Sequence, residues 1–499
     1  MSIIFNFPAI SILLCLFCGI FTSVLKKNAA RALNIILIVT DGILSLATLF
    51  YTLSTGESFV YVMGKFSAPW GNEIRAGALE ALIATFFCVI MLLSILGGQK
   101  KLDEEVEESK HNLYYVMVDL LLSSLLALVY TNDIFTAYVF VEINTIAACG
   151  LIMIRQIGRT IEAAVRYMVM SLLGSGMLLM GICMLYDVTG ELLMSNIQEK
   201  VALLWASGEY SEPLIMSIVL MSVGLAIKSA LFPFHSWLPD AYGYATVSSA
   251  AILSSLVSKG YIFLLIKIIY RVVGFEVYVD SQIINVLYVF GLAGMIFGSI
   301  RAIEQNDIRR MIAYSSVAQI GYIYMGFGLG TEFGMEASIF HILCHGATKS
   351  LLFIAAIGLT DVSGCKRKFA EITGSAYRDK IAGVAFTIGS LSMVGLPLFA
   401  GFISKLLFAE AAITVPGKVI PTMIVLAISV ILNAIYFMKT VIRIYTPAPD
   451  SPYKDCTVSF KSHVLYGMTL IGFIVVNVVL GIFSDPFVEI IRKGIEMFS

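Results

Sequence analysis

The sequence is short of charge. Only 13% of its 499 residues are Asp, Glu, Lys or Arg, about half the share of a soluble domain. A formal net charge of −1 and the lack of any Lys/Arg-rich run leave no basic surface for nucleic acid. No glycine-rich dinucleotide fingerprint, iron–sulfur cysteine pattern or haem motif occurs, so no cofactor and no catalytic centre is expected in the chain itself. The eight cysteines are scattered. Cys15 and Cys18 form a CxxC, but it sits inside the first hydrophobic run without a second pair, which reads as buried thiols. A basic leader is also missing. The first positive charges, Lys26 and Lys27, follow the apolar stretch, the pattern of a retained span rather than a cleaved signal.

What is abundant is apolar sequence, 59% of the chain. Crossing ~30 Å of hydrocarbon takes ~20 residues. Fourteen runs meet that need: 3–24, 32–53, 78–96, 112–130, 133–154, 163–187, 213–235, 242–271, 282–301, 308–329, 333–359, 381–412, 419–445 and 463–486. The expected fold is therefore an all-α integral membrane protein of about 14 transmembrane helices. If residue 1 lies outside, 21 lysines and arginines fall in inward connections and 8 in outward ones, the latter including Lys267, Arg271 and Lys418. That bias places both termini outside the cytoplasm, in a multi-pass cell (inner) membrane protein.

Of the 33 lysines and arginines, the remaining four, Lys228, Lys259, Lys349 and Lys405, lie within the apolar runs. Each such charge costs roughly 2.5–3.5 kcal/mol or more at bilayer depth, which marks a functional position. Glu142 in "YVFVEINTIAACG" is the clearest intramembrane acid, with Asp41, Glu80 and Asp119 of undefined role. The stretch "SIFHILCHGATKSLLF" spaces His341, His345 and Lys349 four residues apart, one stripe on one helix face. Burial disfavours a lysine's charge and a nearby carboxylate restores it, while histidine bridges such groups. A row of these groups can pass protons. The zinc-protease alternative needs a Glu after the first His, where this chain has Ile342, and Lys349 would oppose a metal. No metal is expected.

Proline supplies a second signal. Pro233 and Pro239 interrupt "KSALFPFHSWLPDA", and Pro397 interrupts "GLPLFAGFISKLLFAE". Broken spans are tolerated where other groups satisfy the freed backbone. The two lysines of these segments, Lys228 and Lys405, are 177 residues apart, and the runs starting near 112 and 282 are offset by 170. This spacing predicts two inverted five-helix repeats, each with a Pro-broken helix. The expected divisions are 1–111, 112–271, 272–446 and 447–499.

Together Glu142, "AIKSALFPFHSWLPDA", Lys259 in "LVSKGYIFLLIK", "FHILCHGATKSLLF" and "GLPLFAGFISK" resemble the antiporter-like subunits of respiratory complex I, Mrp antiporters and membrane-bound hydrogenases. The resemblance implies that Glu142 pairs with Lys228, and that protons pass by His235 or water to Lys259, then to His341, His345, Lys349 and Lys405. It implies other membrane subunits as partners, with redox chemistry in those chains and protons or sodium ions as cargo. A lysine at position 405 is similar to the L-, N- and Mrp D-type pattern, and "SAPWGNEIRAGALEA" looks closer to Mrp and hydrogenase members. The competing reading is a stand-alone secondary transporter of a small solute.

Overall fold

A computed structural model describes residues 3–66, 71–448, 452–453, 456–458 and 463–498. The SAPW part of the stretch named above (67–70) lies outside the described residues. The chain is nearly all helix. The long apolar helices are α1 (Phe7–Val24), α2 (Lys27–Thr55), α3 (Ala78–Glu105), α4 (His111–Tyr130), α5 (Ile134–Met153) and α6 (Gly158–Thr189). After the short α7 (Met194–Ser207) come α8 (Ser211–Lys228), α9 (Leu238–Tyr244) and α10 (Val247–Val273). The second half holds α11 (Ile283–Ile303), α12 (Ile308–Gly328), α13 (Glu332–Asp361), α14 (Lys380–Val394), α15 (Ala400–Ile413) and α16 (Pro416–Ile444). It closes with α17 (Val464–Ile482) and α18 (Ser484–Glu496).

Twelve segments of the described residues are long and apolar enough to cross a membrane. The other two runs expected from the sequence are the helix α12 and the divided pair α14/α15, so every expected run is helical. The one departure from all-α structure is small. Strands β1 (Phe59–Val62) and β2 (Glu73–Ala76) pair antiparallel, with Phe59 opposite Ala76, between α2 and α3. α3 continues past its apolar run, which ends at 96, through the polar residues up to Glu105.

Lipid contact is unevenly shared. The apolar windows of α1, α2, α6, α16 and α17 are buried over less than half their residues, whereas those of α10 and α13 are wholly buried by protein. Helix–helix contact inside a bilayer depends on close backbone approach through small residues. A Cβ on Gly224 of α8 would stand 2.6 Å from the Gly174 carbonyl oxygen of α6. A Cβ on Gly321 of α12 would stand 2.6 Å from that of Gly291 on α11. These glycine seams pull the outer helices in around α10 and α13.

Candidate functional site

Both proline-marked spans are broken. α8 stops at Lys228, and the chain passes Pro233 and a 3₁₀ turn (Phe234–Trp237) before α9, which has Pro239 in its first turn. α14 stops at Val394, and Gly395 (φ 97°) turns the chain through Pro397 into α15. Lysine lies on opposite sides of the two breaks: Lys228 ends the first half of its span, and Lys405 stands in the second half of its own. At the second break the freed Met393 carbonyl accepts from Lys405 Nζ at 2.9 Å, so the interruption makes the lysine's acceptor.

Lys228 is fully buried. Its Nζ donates to Thr145 Oγ1 at 2.8 Å and lies 5.2 Å from the centre of the Tyr261 ring. Glu142, half-buried and nearly one turn before Thr145 on α5, lies within electrostatic reach of Lys228. Among the described residues the two make no ion pair, and Glu142 Oε1 has no hydrogen-bond partner. The direct pairing expected from the resemblance is thus replaced by a hydroxyl contact. Tyr261 continues the set, donating to Asn144 Oδ1 at 3.0 Å, and Asn144 donates to Ser124 of α4 at 2.8 Å.

Lys259 lies near the middle of α10, just after a stretch of π-helix (Leu253–Val257). The wider turn exposes the Ser254 carbonyl, to which Lys259 Nζ donates, with Ser258 Oγ a second acceptor at 3.1 Å. This lysine is the shared electrostatic neighbour of His341, His345 and Lys349 on α13. The two imidazoles stack at 5.9 Å and 18°, and His341 stacks in turn on Tyr322 at 5.4 Å. His341 Nδ1 lies 2.5 Å from Ser404 Oγ, beside Lys405. The Lys405 ammonium stands 5.5 Å from the centre of the Tyr322 ring.

Two expected positions behave differently. Lys349 turns away from Lys405, donating to the Ile312 carbonyl at 2.8 Å and to Ser315 Oγ on α12. The stripe therefore branches at Lys259 rather than running end to end. His235 stacks on Phe232 at 5.4 Å and lies within reach of the Arg301 charge. Among the described residues it makes no hydrogen bond to Lys228 or Lys259, so it stands beside the row rather than in it.

The sequence matches the family described as "NADH:quinone oxidoreductase/Mrp antiporter, TM" over residues 131–432, which contain the whole row from Glu142 to Lys405. The chain belongs to that family. Within it, the chain is 33% identical over 419 residues to "NADH-quinone oxidoreductase subunit N" of Desulforudis audaxviator, covering 83% of this chain and 80% of that one. It is 28% identical over 392 residues to "Putative antiporter subunit mnhD2" of Staphylococcus epidermidis, covering 78% and 75%. Among solved structures it superposes on a chain of the membrane-bound sulfane sulfur reductase, an archaeal respiratory membrane complex, with TM-score 0.88 and 26% identity over 98% of this chain and 97% of that chain. A chain of the Mrp complex from Dietzia sp. shares the fold, with TM-score 0.87 and 23% identity over 99% of this chain and 97% of that chain. The protein is thus a multi-pass, antiporter-like member of the NADH:quinone oxidoreductase/Mrp family.

The family region holds groups that sequence reasoning passed over. Lys267 and Arg271, assigned above to an outward connection, are fully buried in α10. Lys267 Nζ donates to the carbonyls of Leu128, Val129 and Thr131 at the end of α4. The signal was present: the apolar run continues past Lys267 through "IIYRVV", so the span could not have ended there. Tyr322, Thr145 and Tyr261 were missed because hydroxyls and aromatics carry no charge to flag them at bilayer depth.

Proposed function

We propose that this chain is a proton-translocating subunit of a multisubunit membrane complex, either a redox-driven ion pump or an Mrp-type antiporter. Its partners are other membrane subunits, and any redox centre belongs to them. The observation that supports the reading best is the position of Lys259, facing His341, His345 and Lys349 between two helices that lipid does not touch. Buried basic groups held by carbonyls and hydroxyls, with no carboxylate to fix their charge, can change protonation at little structural cost.

The route begins at Lys228, whose proton affinity depends on the charge of Glu142 nearby. A shift of that charge by a neighbouring subunit sends the proton past Tyr261 to Lys259. It moves on to His345 and His341 and leaves through Lys405, with Lys349 as a side station. Both nitrogens of His345 are buried without a protein hydrogen-bond partner among the described residues. Such atoms are the ones that ordered water satisfies inside a membrane protein, and water is what carries protons between them. The row is made of lysines and histidines with the single carboxylate Glu142, a donor set that favours protons over sodium ions as the cargo. Both termini face away from the cytoplasm in this reading.

The test uses the complex purified through a tag on this chain and reconstituted in vesicles. Glu142→Gln, Lys228→Ala and Lys405→Ala each abolish proton translocation while the complex still assembles. Translocation that survives all three changes removes the row from the mechanism. A bound metabolite in the purified protein would favour a solute transporter instead.

A further inference from the structure

The buried carboxyls Asp41 and Asp119 have no part in the row, and both lie outside residues 131–432. They belong to a polar seam where α1, α2 and α4 meet. On α2 the fully buried polar positions are Asn34, Asp41, Ser45, Thr48 and Thr52, spaced at helical intervals along one face. α1 adds Ser11, Cys15 and Thr22, and α4 adds Asp119, Ser123 and Tyr130, all equally buried. Two helices with exposed apolar faces, α1 and α2, and the largely buried α4 therefore share a hydroxyl, thiol and carboxyl lining inward.

The contacts order the seam from one end to the other. At the end formed by the start of α2, Arg31 donates to Tyr115 at 3.0 Å and to Asp103 at 2.6 Å. Next, Asp119 accepts from Asn34 at 2.5 Å and from Thr22 at 2.9 Å. Two turns along α2 from Asn34, Asp41 Oδ2 accepts from the Cys15 thiol at 2.8 Å. Asp41 Oδ1 and Ser45 Oγ, one turn beyond, are buried and make no hydrogen bond shorter than 3.5 Å among the described residues, with Ser11 facing Asp41 and Tyr130 facing Ser45 at longer reach. The Tyr130 hydroxyl faces Ser45 as its hydrogen-bonding neighbour, with Cys88, Asp41 and Glu80 in electrostatic reach. Glu80 then lies within electrostatic reach of the buried Lys267.

Two features point to a ligand rather than to packing. The partners of Asp41 and Asp119 are neutral, and no lysine or arginine pairs with either among the described residues, so nothing fixed compensates a charge there. A buried carboxyl in that position is normally paired or carries a proton. Buried Ser11, Asp41, Ser45 and Tyr130 oxygens with no close hydrogen bond to fix them also follow one another along the seam, each on a group that can both give and take a proton. A hard metal cation fits poorly, because a thiol occupies one side of Asp41.

We propose that this seam is a second proton path, running along the helix axes from the Arg31/Asp103 end to the Glu80/Lys267 end. Asp119 and Asp41 carry the proton in turn. Each transfer leaves a carboxylate behind and makes a carboxylic acid ahead, so no other reactant is needed. Ile38, one turn after Asn34 and nearly one before Asp41 on the same buried face of α2, adds an apolar position along the path. The role in translocation rests on the proposed function above. The presence of an exchangeable proton on Asp41 does not.

The experiment has two arms. In reconstituted complex, Asp41→Asn and Asp119→Asn lower proton translocation roughly 100-fold, and Asp41→Glu restores most of it. In infrared spectra of the same complex with carboxyl-labelled aspartate, a carboxylic-acid band titrates with pH, and Asp41→Asn removes it. Wild-type translocation in both asparagine variants, alongside a dead Lys228→Ala, overturns the second path and leaves the row intact. If Lys228→Ala pumps normally the row falls, and the labelled band alone decides for or against the seam. Should the asparagine variants not assemble, the unmutated labelled complex still answers: no titrating aspartic-acid band sinks the proposal.

Discussion

Lys228 Nζ donates to Thr145 Oγ1 at 2.8 Å, so the ammonium is held by a hydroxyl nearly one turn beyond the carboxylate that senses it. A lysine locked in a salt bridge would have to break that bridge at every turnover. A lysine on a hydroxyl keeps its position whether or not it holds a proton.

Thr145→Val keeps the shape of the side chain and removes the acceptor. The buried donor then loses a hydrogen bond worth about 1.5–3 kcal/mol. Translocation by the reconstituted complex falls about tenfold, and Thr145→Ser returns it to near wild type. Equal rates in the valine and serine variants would show that the hydroxyl is packing only.

His345→Leu separates conduction from stability. The imidazole makes no hydrogen bond to described residues, so its loss changes thermal stability by less than about 1.5 kcal/mol. Proton translocation drops roughly 100-fold. A large fall in melting temperature with conduction preserved would reverse the assignment.

Gly395→Ala acts through Lys405. The glycine has φ 97°, and an added Cβ would meet Lys405 Cδ at 2.9 Å. Strain of about 1–3 kcal/mol is expected, together with displacement of the ammonium from the Met393 carbonyl. Lower melting temperature and slower translocation should appear together in this variant.

Lys267→Met tests whether that lysine is buried or reaches a membrane surface. Withdrawing a charged donor from the carbonyls ending α4 costs about 3 kcal/mol, visible as a lower melting temperature of the complex. A surface lysine would change it by no more than about 0.5 kcal/mol.

Much of the fold was readable from composition. Each apolar run became helix, and Pro233 and Pro397 marked both breaks because a missing N–H frees a carbonyl and weakens a helix at that point. The intramembrane lysines were readable for a similar reason, since charge at bilayer depth has few bland explanations. The acceptors were not. Thr145 serves Lys228, Ser254 serves Lys259 and Met393 serves Lys405, and two of these three acceptors are backbone carbonyls. A carbonyl freed by a π-turn or a helix break has no residue type to betray it. Lys267 was misplaced because the loop assignment followed charge, although the hydrophobic run around it continued. The two strands escaped notice because four-residue segments beside a turn carry too little alternation to register.

The complete enclosure of α13 has a consequence for how the protein is made. Its neighbours include α14, α15 and α17, all of which follow it in the chain. When α13 first leaves the ribosome, the walls that will surround it have yet to be synthesised. Its two histidines and lysine must wait without their final companions, and Lys405 has not been added. The proposed row is therefore completed only late in biogenesis. An unfinished or truncated chain that stops before α15 carries His341, His345 and Lys349 without Lys405, and so holds only part of the proposed path.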